Sequence, residues 1–211
     1  MAELYYSPGA CSMAIHVVLN ELNQPLTLHN ASIREGKTRT PEFLAVNPRG
    51  QVPVLVEDGQ VIREGAAILI YLMEKYQSPM LPKSGKERAT ALEWLCWANA
   101  TLHPAYSRSF WLMQNADDGA IRDKLLSLAL DDVEAKWADA DKRLGETGAF
   151  LSGTQLGAAD ILLAVIANWG SYFPRAPKLG SNVERLIRSV IARPSYQKAL
   201  AAEHVEYKAV A

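Results

Sequence analysis

Asn47-Pro48-Arg49-Gly50-Gln51-Val52-Pro53-Val54-Leu55-Val56, followed by Glu64-Gly65-Ala66-Ala67-Ile68, is the stretch whose reading decides the fold. Proline lacks the backbone donor that a central strand needs, so Pro53 belongs at a strand's first residue or at an edge. Val54-Leu55-Val56 continues as a short strand, Asp58-Gly59 is a two-residue hairpin signal, and Val61-Ile62-Arg63 returns. A helix then opens near Glu64. An extended peptide beside Val52 can exchange backbone hydrogen bonds with it, and a carboxylate on that peptide can reach the free amides near Gly65. The layout suits a small anionic peptide. A hairpin and helix serving as plain scaffold is the competing reading of this stretch alone.

Working outward, Leu4-Tyr5-Tyr6 is a β-prone run that stops at the Ser7-Pro8-Gly9 turn. Apolar spacing predicts a helix over 11–22 and Asn23-Gln24-Pro25 ends it; 26–31 alternates as a second strand. Thr40-Pro41 is a cap followed by the proline of a first helical turn. The expected order through Tyr76 is therefore βαβαββα. Residues 78–85, with Ser78, Pro79, Pro82 and Ser84, read as a linker between residues 1–77 and a helical unit over 86–211. In that unit a helix over 86–115 should be interrupted at Pro104, and 119–144 is a second helix. The stretch 157–169 is apolar nearly all round and should be the central buried helix. Its opening, with Asp160 three residues after Gly157, resembles a capping box, which makes Asp160 structural.

The 211 residues carry a formal net charge of -1, which argues against a nucleic-acid binder. The longest apolar run, 161–167, is far too short to cross a membrane. No secretory signal is visible, and two cysteines without one fit a reducing, cytoplasmic setting. The histidines lack metal-ligand spacing, so no metal or other cofactor is expected.

Tyr6-Ser7-Pro8-Gly9-Ala10-Cys11-Ser12, the Asn47–Leu55 run, Glu64-Gly65-Ala66-Ala67-Ile68 and His103 together resemble the cytosolic glutathione transferase family, and within it the bacterial beta class. The similarity covers the whole chain in order and spacing. It implies a thioredoxin-like domain joined to a helical bundle, a homodimer, and the conjugation of reduced glutathione, a co-substrate, to small hydrophobic electrophiles in detoxification. It also implies a cis peptide bond before Pro53, turning the Val52 backbone toward the tripeptide's cysteinyl unit. Glu64 would take the γ-glutamyl ammonium and the Gly65 amide its carboxylate. Gln51 and Lys37 are candidates for its other polar ends.

Cys11 follows Pro-Gly at a helix start, where the macrodipole favours an anion and thiol pKa values fall below about 8.5. By resemblance it faces the glutathione sulfur; the other reading is a buried, inert thiol. Tyr6 either donates to a thiolate or packs at a strand end, an ambiguity doubled by Tyr5 beside it. His103 would approach the sulfur from the bundle, or it is a satisfied polar group. Thr101 is a candidate cross-domain contact. Tyr106, Trp111, Trp169 and Tyr172 either line an apolar pocket or belong to the core. Cys96 stands where beta-class relatives often carry Asn, and reads otherwise as a small core residue. Two alternatives to conjugation stay open. Cys11 could run thiol transfer or peroxidase chemistry, or the protein could be a non-catalytic glutathione-binding scaffold.

Overall fold

The computed structural model describes residues 2–210. Strand β1 (Ala2–Tyr6) leads to α1 (Ser12–Glu21), β2 (Leu26–Asn30), a single 3-10 turn, α2 (Pro41–Val46), β3 (Val54–Glu57), β4 (Gln60–Arg63) and α3 (Gly65–Lys75). The four strands form one mixed sheet in the order β2-β1-β3-β4. β1 runs parallel to β2, pairing Ala2 with Leu26, and antiparallel to β3, pairing Tyr5 with Val54. This register puts the end of β1, the entrance to β3 and the exit of β4 at one end of the sheet. The expected βαβαββα order and thioredoxin-like plus helical class are what the structure has.

Alternation along β1 decides what its two tyrosines do. Ala2, Leu4 and Tyr6 join the main core, whereas Tyr5 packs on the opposite face with Phe43 and stacks on His29 at 4.5 Å. Helix α2 covers that second face, opened by Thr40 Oγ1 accepting from the Phe43 amide at 3.4 Å.

The helical unit consists of α4 (Gly85–Trp97), α5 (His103–Asn115), α6 (Ala120–Thr147), α7 (Ala158–Asn168), α8 (Ser181–Ile191) and α9 (Pro194–Glu203). Pro104 does not break the first long helix. Residues Ala98–Leu102 widen into a π-helical segment that carries α4 into α5. Proline offers no amide to the carbonyl one turn back, and a local widening accommodates the missing bond without ending the helix.

Every residue of α7 is buried, as a helix apolar all round requires. Its Asp160 accepts from the Gly157 amide at 2.8 Å and the Leu151 amide at 3.0 Å, so one carboxylate caps the helix and holds the preceding loop. An Asp160→Asn substitution leaves one of these buried amides facing an NH2 group. The expected loss is about 2 kcal/mol, read as a lower Tm; an unchanged Tm would remove Asp160 from the cap.

Helix α1 joins the halves. Ser12 through Leu19 are all buried, because sheet and α3 cover one side and α7 and α9 the other. A single core cluster accordingly runs from Leu4 through Ile15 to Leu162 and Tyr196.

Candidate active site

The end of the sheet is shaped by Asn47. Its buried side chain donates to the Gln51 carbonyl at 2.7 Å and accepts from the Arg49 amide and from Arg63 Nε, at 3.3 and 3.0 Å. The turn it holds needs glycine at position 50, where φ is +64° and a Cβ would meet Arg39 Nη1 at 2.5 Å. The chain then enters β3 through a cis Val52–Pro53 bond, with Val52 half-buried and Gln51 exposed. Glu64 caps α3 with φ 70° and ψ 117°, outside the regions favoured by residues bearing a Cβ. Its side chain makes no bond to the helix's first turn; it pairs instead with Arg49 at 3.0 Å, both groups well exposed.

The loop before α1 is fastened from both halves. Ser12 Oγ accepts from the Ser7 amide at 3.2 Å and donates to the Ser7 carbonyl. Across 194 residues, Glu203 Oε2 accepts from the Gly9 amide at 3.0 Å, while its other oxygen meets His16 Nδ1 at 2.9 Å. Trp169 Nε1 donates to the Gly9 carbonyl at 2.8 Å.

This fastening leaves Cys11 half-buried, and the outcome differs from the helix-start expectation. The amides of Ser12 and Cys11 do act to lower the thiol's pKa, but burial outweighs them and pushes it up to about 11, with a minor contribution from the Glu64 carboxylate. Local dipoles were legible from position; the loss of water around the sulfur was not. Because only the thiolate is alkylated, the Cys11 rate with iodoacetamide should climb about tenfold per pH unit from pH 7 toward about 11. Peptide mass spectrometry of a Cys96→Ser protein would read it, and rapid, pH-independent labelling at pH 7 would contradict it.

The bundle faces this region with one stripe of α4–α5. Asn99 lies beside Gly65, its Oδ1 3.5 Å from where a Cβ there would sit. One turn on, His103 is half-buried with its ring edge-on to Trp169 at 4.9 Å between centroids. Burial holds the His103 pKa below the ordinary imidazole value, so the ring is neutral at neutral pH. Tyr6 sits at the end of β1, its hydroxyl held protonated by burial and by the Glu203 charge, while Lys37 acts in the opposite sense. Lys37 itself is exposed and pairs with Glu35 at 2.5 Å.

Four sequence-level candidates stand elsewhere. Tyr106 is fully buried, its hydroxyl accepting from Trp137 Nε1 at 2.9 Å, so it is a bundle-core residue and walls no pocket. Trp111, on the outer side of α5, is 61% exposed. Thr101 is not a contact between the halves. Two residues from Asn99 on the same helical run, it points the other way and lines an open groove of about 570 Å³ with Pro104, Arg108, Leu128, Asp132 and Lys136. Cys96 is exposed, neither a core residue nor beside Gly65. Asn99, Arg49 and Glu203 were missed. Periodicity could have found Asn99, since it precedes His103 by four residues. Among the described residues no three His, Cys, Asp or Glu side chains are grouped to hold a metal.

Comparison with known proteins agrees with this arrangement. Residues 9–75 match the family model described as "Glutathione S-transferase, N-terminal domain". Glutathione S-transferase D7 of Drosophila melanogaster is 32% identical over 89% of this chain and 83% of its own length. The crystal structure of a glutathione transferase from Methylococcus capsulatus str. Bath is 33% identical, with a TM-score of 0.84 over 97% of this chain and 99% of that one. A glutathione-S-transferase from Xylella fastidiosa is 26% identical, with a TM-score of 0.86 over 98% of this chain and 100% of that one. With the sheet end, the cis proline, the cap of α3 and the Cys11 loop disposed as described, the chain belongs to the glutathione S-transferase family of enzymes.

Proposed function

We propose that this enzyme binds reduced glutathione through residues 1–77 and adds its sulfur to small hydrophobic electrophiles, in the manner of a beta-class detoxifying transferase of the cytoplasm. One observation carries the reading. The exposed carboxylate at the strained cap of α3 acts on the Cys11 thiol, and the first residue of that helix lies beside Pro53 of the cis Val52–Pro53 bond. Glu64 takes the γ-glutamyl ammonium, the Gly65 amide the carboxylate, and Val52 the cysteinyl backbone, with Gln51 and Lys37 toward the remaining polar ends. Cys11 and His103 act at the sulfur, and Tyr6 contributes a protonated hydroxyl.

The raised Cys11 pKa favours conjugation over thiol transfer. A thiol that stays protonated near pH 7 is a poor attacker of disulfides, but its S–H can donate to a neighbouring thiolate. A homodimer fits the exposed apolar residues Trp111, Leu125 and Leu128 along α5 and α6. Cys11→Ala separates the chemistries. Conjugation of glutathione to 1-chloro-2,4-dinitrobenzene should fall by no more than about tenfold, while reduction of a glutathione mixed disulfide should remain negligible in both proteins. Vigorous disulfide reduction that the substitution abolishes would instead establish the thiol-transfer reading. Tight glutathione binding without turnover on a panel of electrophiles would leave a binding scaffold.

A further inference from the structure

We infer that Trp169 is a positioning residue for the proposed transfer: one indole fixes the Cys11 loop through its N–H and the His103 imidazole through its ring. The assignment rests on the reading above, in which Cys11 and His103 act at the glutathione sulfur. The loop shows what has to be fixed. Ser7-Pro8-Gly9-Ala10 turns back on itself, closed by the Ala10 amide donating to the Ser7 carbonyl at 3.0 Å, with Gly9 at φ +69°. Such a turn uses neither the amide nor the carbonyl of Gly9, so both need partners elsewhere. The bundle supplies both: the amide donates to Glu203 Oε2 at 3.0 Å, and the carbonyl accepts from Trp169 Nε1 at 2.8 Å. Two residues on, the Cys11 carbonyl already accepts from the Ala14 amide of α1 at 3.1 Å. A rotation of the Gly9 peptide is therefore passed to the thiol.

Trp169 is itself held. It is 7% exposed and opens the 3-10 turn Trp169–Tyr172 directly after the buried helix α7. Tyr106 packs on its ring at 5.9 Å and Phe110 at 6.3 Å, and the Tyr106 hydroxyl is in turn fixed by Trp137. Beside this indole stands His103, its ring centroid 4.9 Å away and inclined by 62°. Among the described residues neither imidazole nitrogen has a hydrogen-bond partner, so packing against the indole sets the orientation of the ring. Glu203 holds the same loop through Gly9, whereas Trp169 touches both the loop and His103. With so little of its surface exposed, the indole serves by holding these neighbours rather than by meeting an electrophile.

Two substitutions separate the two contacts. Trp169→Phe keeps an aromatic ring beside His103 and removes the N–H; Trp169→Leu removes both. With 1-chloro-2,4-dinitrobenzene, kcat should fall about fivefold in the first and about fiftyfold in the second, with KM for glutathione changed by no more than about twofold. In a His103→Gln background the two variants should become equal, because only the loop contact is left to lose. In the Cys96→Ser protein, either variant should also move the iodoacetamide profile of Cys11 about one pH unit lower, as water reaches the loosened loop. Unchanged kcat with an unchanged Cys11 profile in Trp169→Phe would overturn the assignment, and so would a loss confined to KM, which would make the indole a ligand contact. A Leu variant that stays worse than Phe without His103 would mark general damage to the bundle and overturn it as well. Should Trp169→Leu not fold, kcat and the alkylation profile of Trp169→Phe decide the matter. Failure of the parent protein to conjugate would instead sink the proposed function, and this assignment with it.

Discussion

Replacing Glu64 by alanine should weaken glutathione binding at least about a hundredfold, the scale set by losing a charge-assisted bond to an ammonium at a partly enclosed site. Glycine at the same position should weaken it equally but raise the stability of the protein. The backbone there sits at φ 70° and ψ 117°, a conformation that costs a residue with a Cβ about 1–3 kcal/mol and glycine very little. Against that gain stand the flexibility glycine adds to the unfolded chain, about 0.4–1 kcal/mol, and the exposed pair with Arg49, worth at most about 1 kcal/mol. The balance favours Glu64→Gly over Glu64→Ala in Tm, with both silent in titration. Equal melting temperatures would mean the cap is unstrained. Retained binding in either variant would remove Glu64 from the γ-glutamyl site.

The largest stability effect should come from Glu203. Its carboxylate is 2% exposed and serves two donors, the Gly9 amide and His16, itself 2% exposed. Glu203→Ala leaves both without an acceptor in a region closed to water. Each orphaned group costs about 1–3 kcal/mol, so a total near about 4 kcal/mol is expected in denaturant unfolding. Glu203→Gln keeps one acceptor oxygen and should lose about half as much. The loop holding Cys11 is fastened by the same carboxylate, so the Gln variant should also loosen the loop around the half-buried thiol and raise its alkylation rate at pH 8. A Gln variant with normal stability and an unreactive Cys11 would show that Trp169, through its bond to the Gly9 carbonyl, is sufficient alone.

Local chemistry made much of this legible. Pro53 at a strand mouth, Asp58-Gly59 between two β runs, Thr40 before Pro41 and Asp160 after Gly157 each act within a few residues, where sequence pattern and structure answer to the same forces. What escaped depends on contacts far apart in sequence. His16 and Glu203 are 187 residues apart, and no periodicity links them. Burial reversed the expected shift at Cys11, because position predicts dipoles but not desolvation. Tyr106 and Trp111 are both sequence candidates for one pocket, yet α5 turns the first into the core and the second to solvent. Asn99, not Thr101, lies beside Gly65, while Thr101 lines a groove of the bundle itself.

Helix α1 has a kinetic consequence. Its whole first two turns are enclosed by elements of both halves, and Glu21 is clasped by Arg193 with both N–O distances at 2.7 Å, so parting the halves would break buried contacts on both sides of this helix. A ligand therefore meets a gap of fixed width rather than a pair of jaws. Association should then be a single relaxation whose rate rises linearly with glutathione concentration, without the plateau that a closing step imposes.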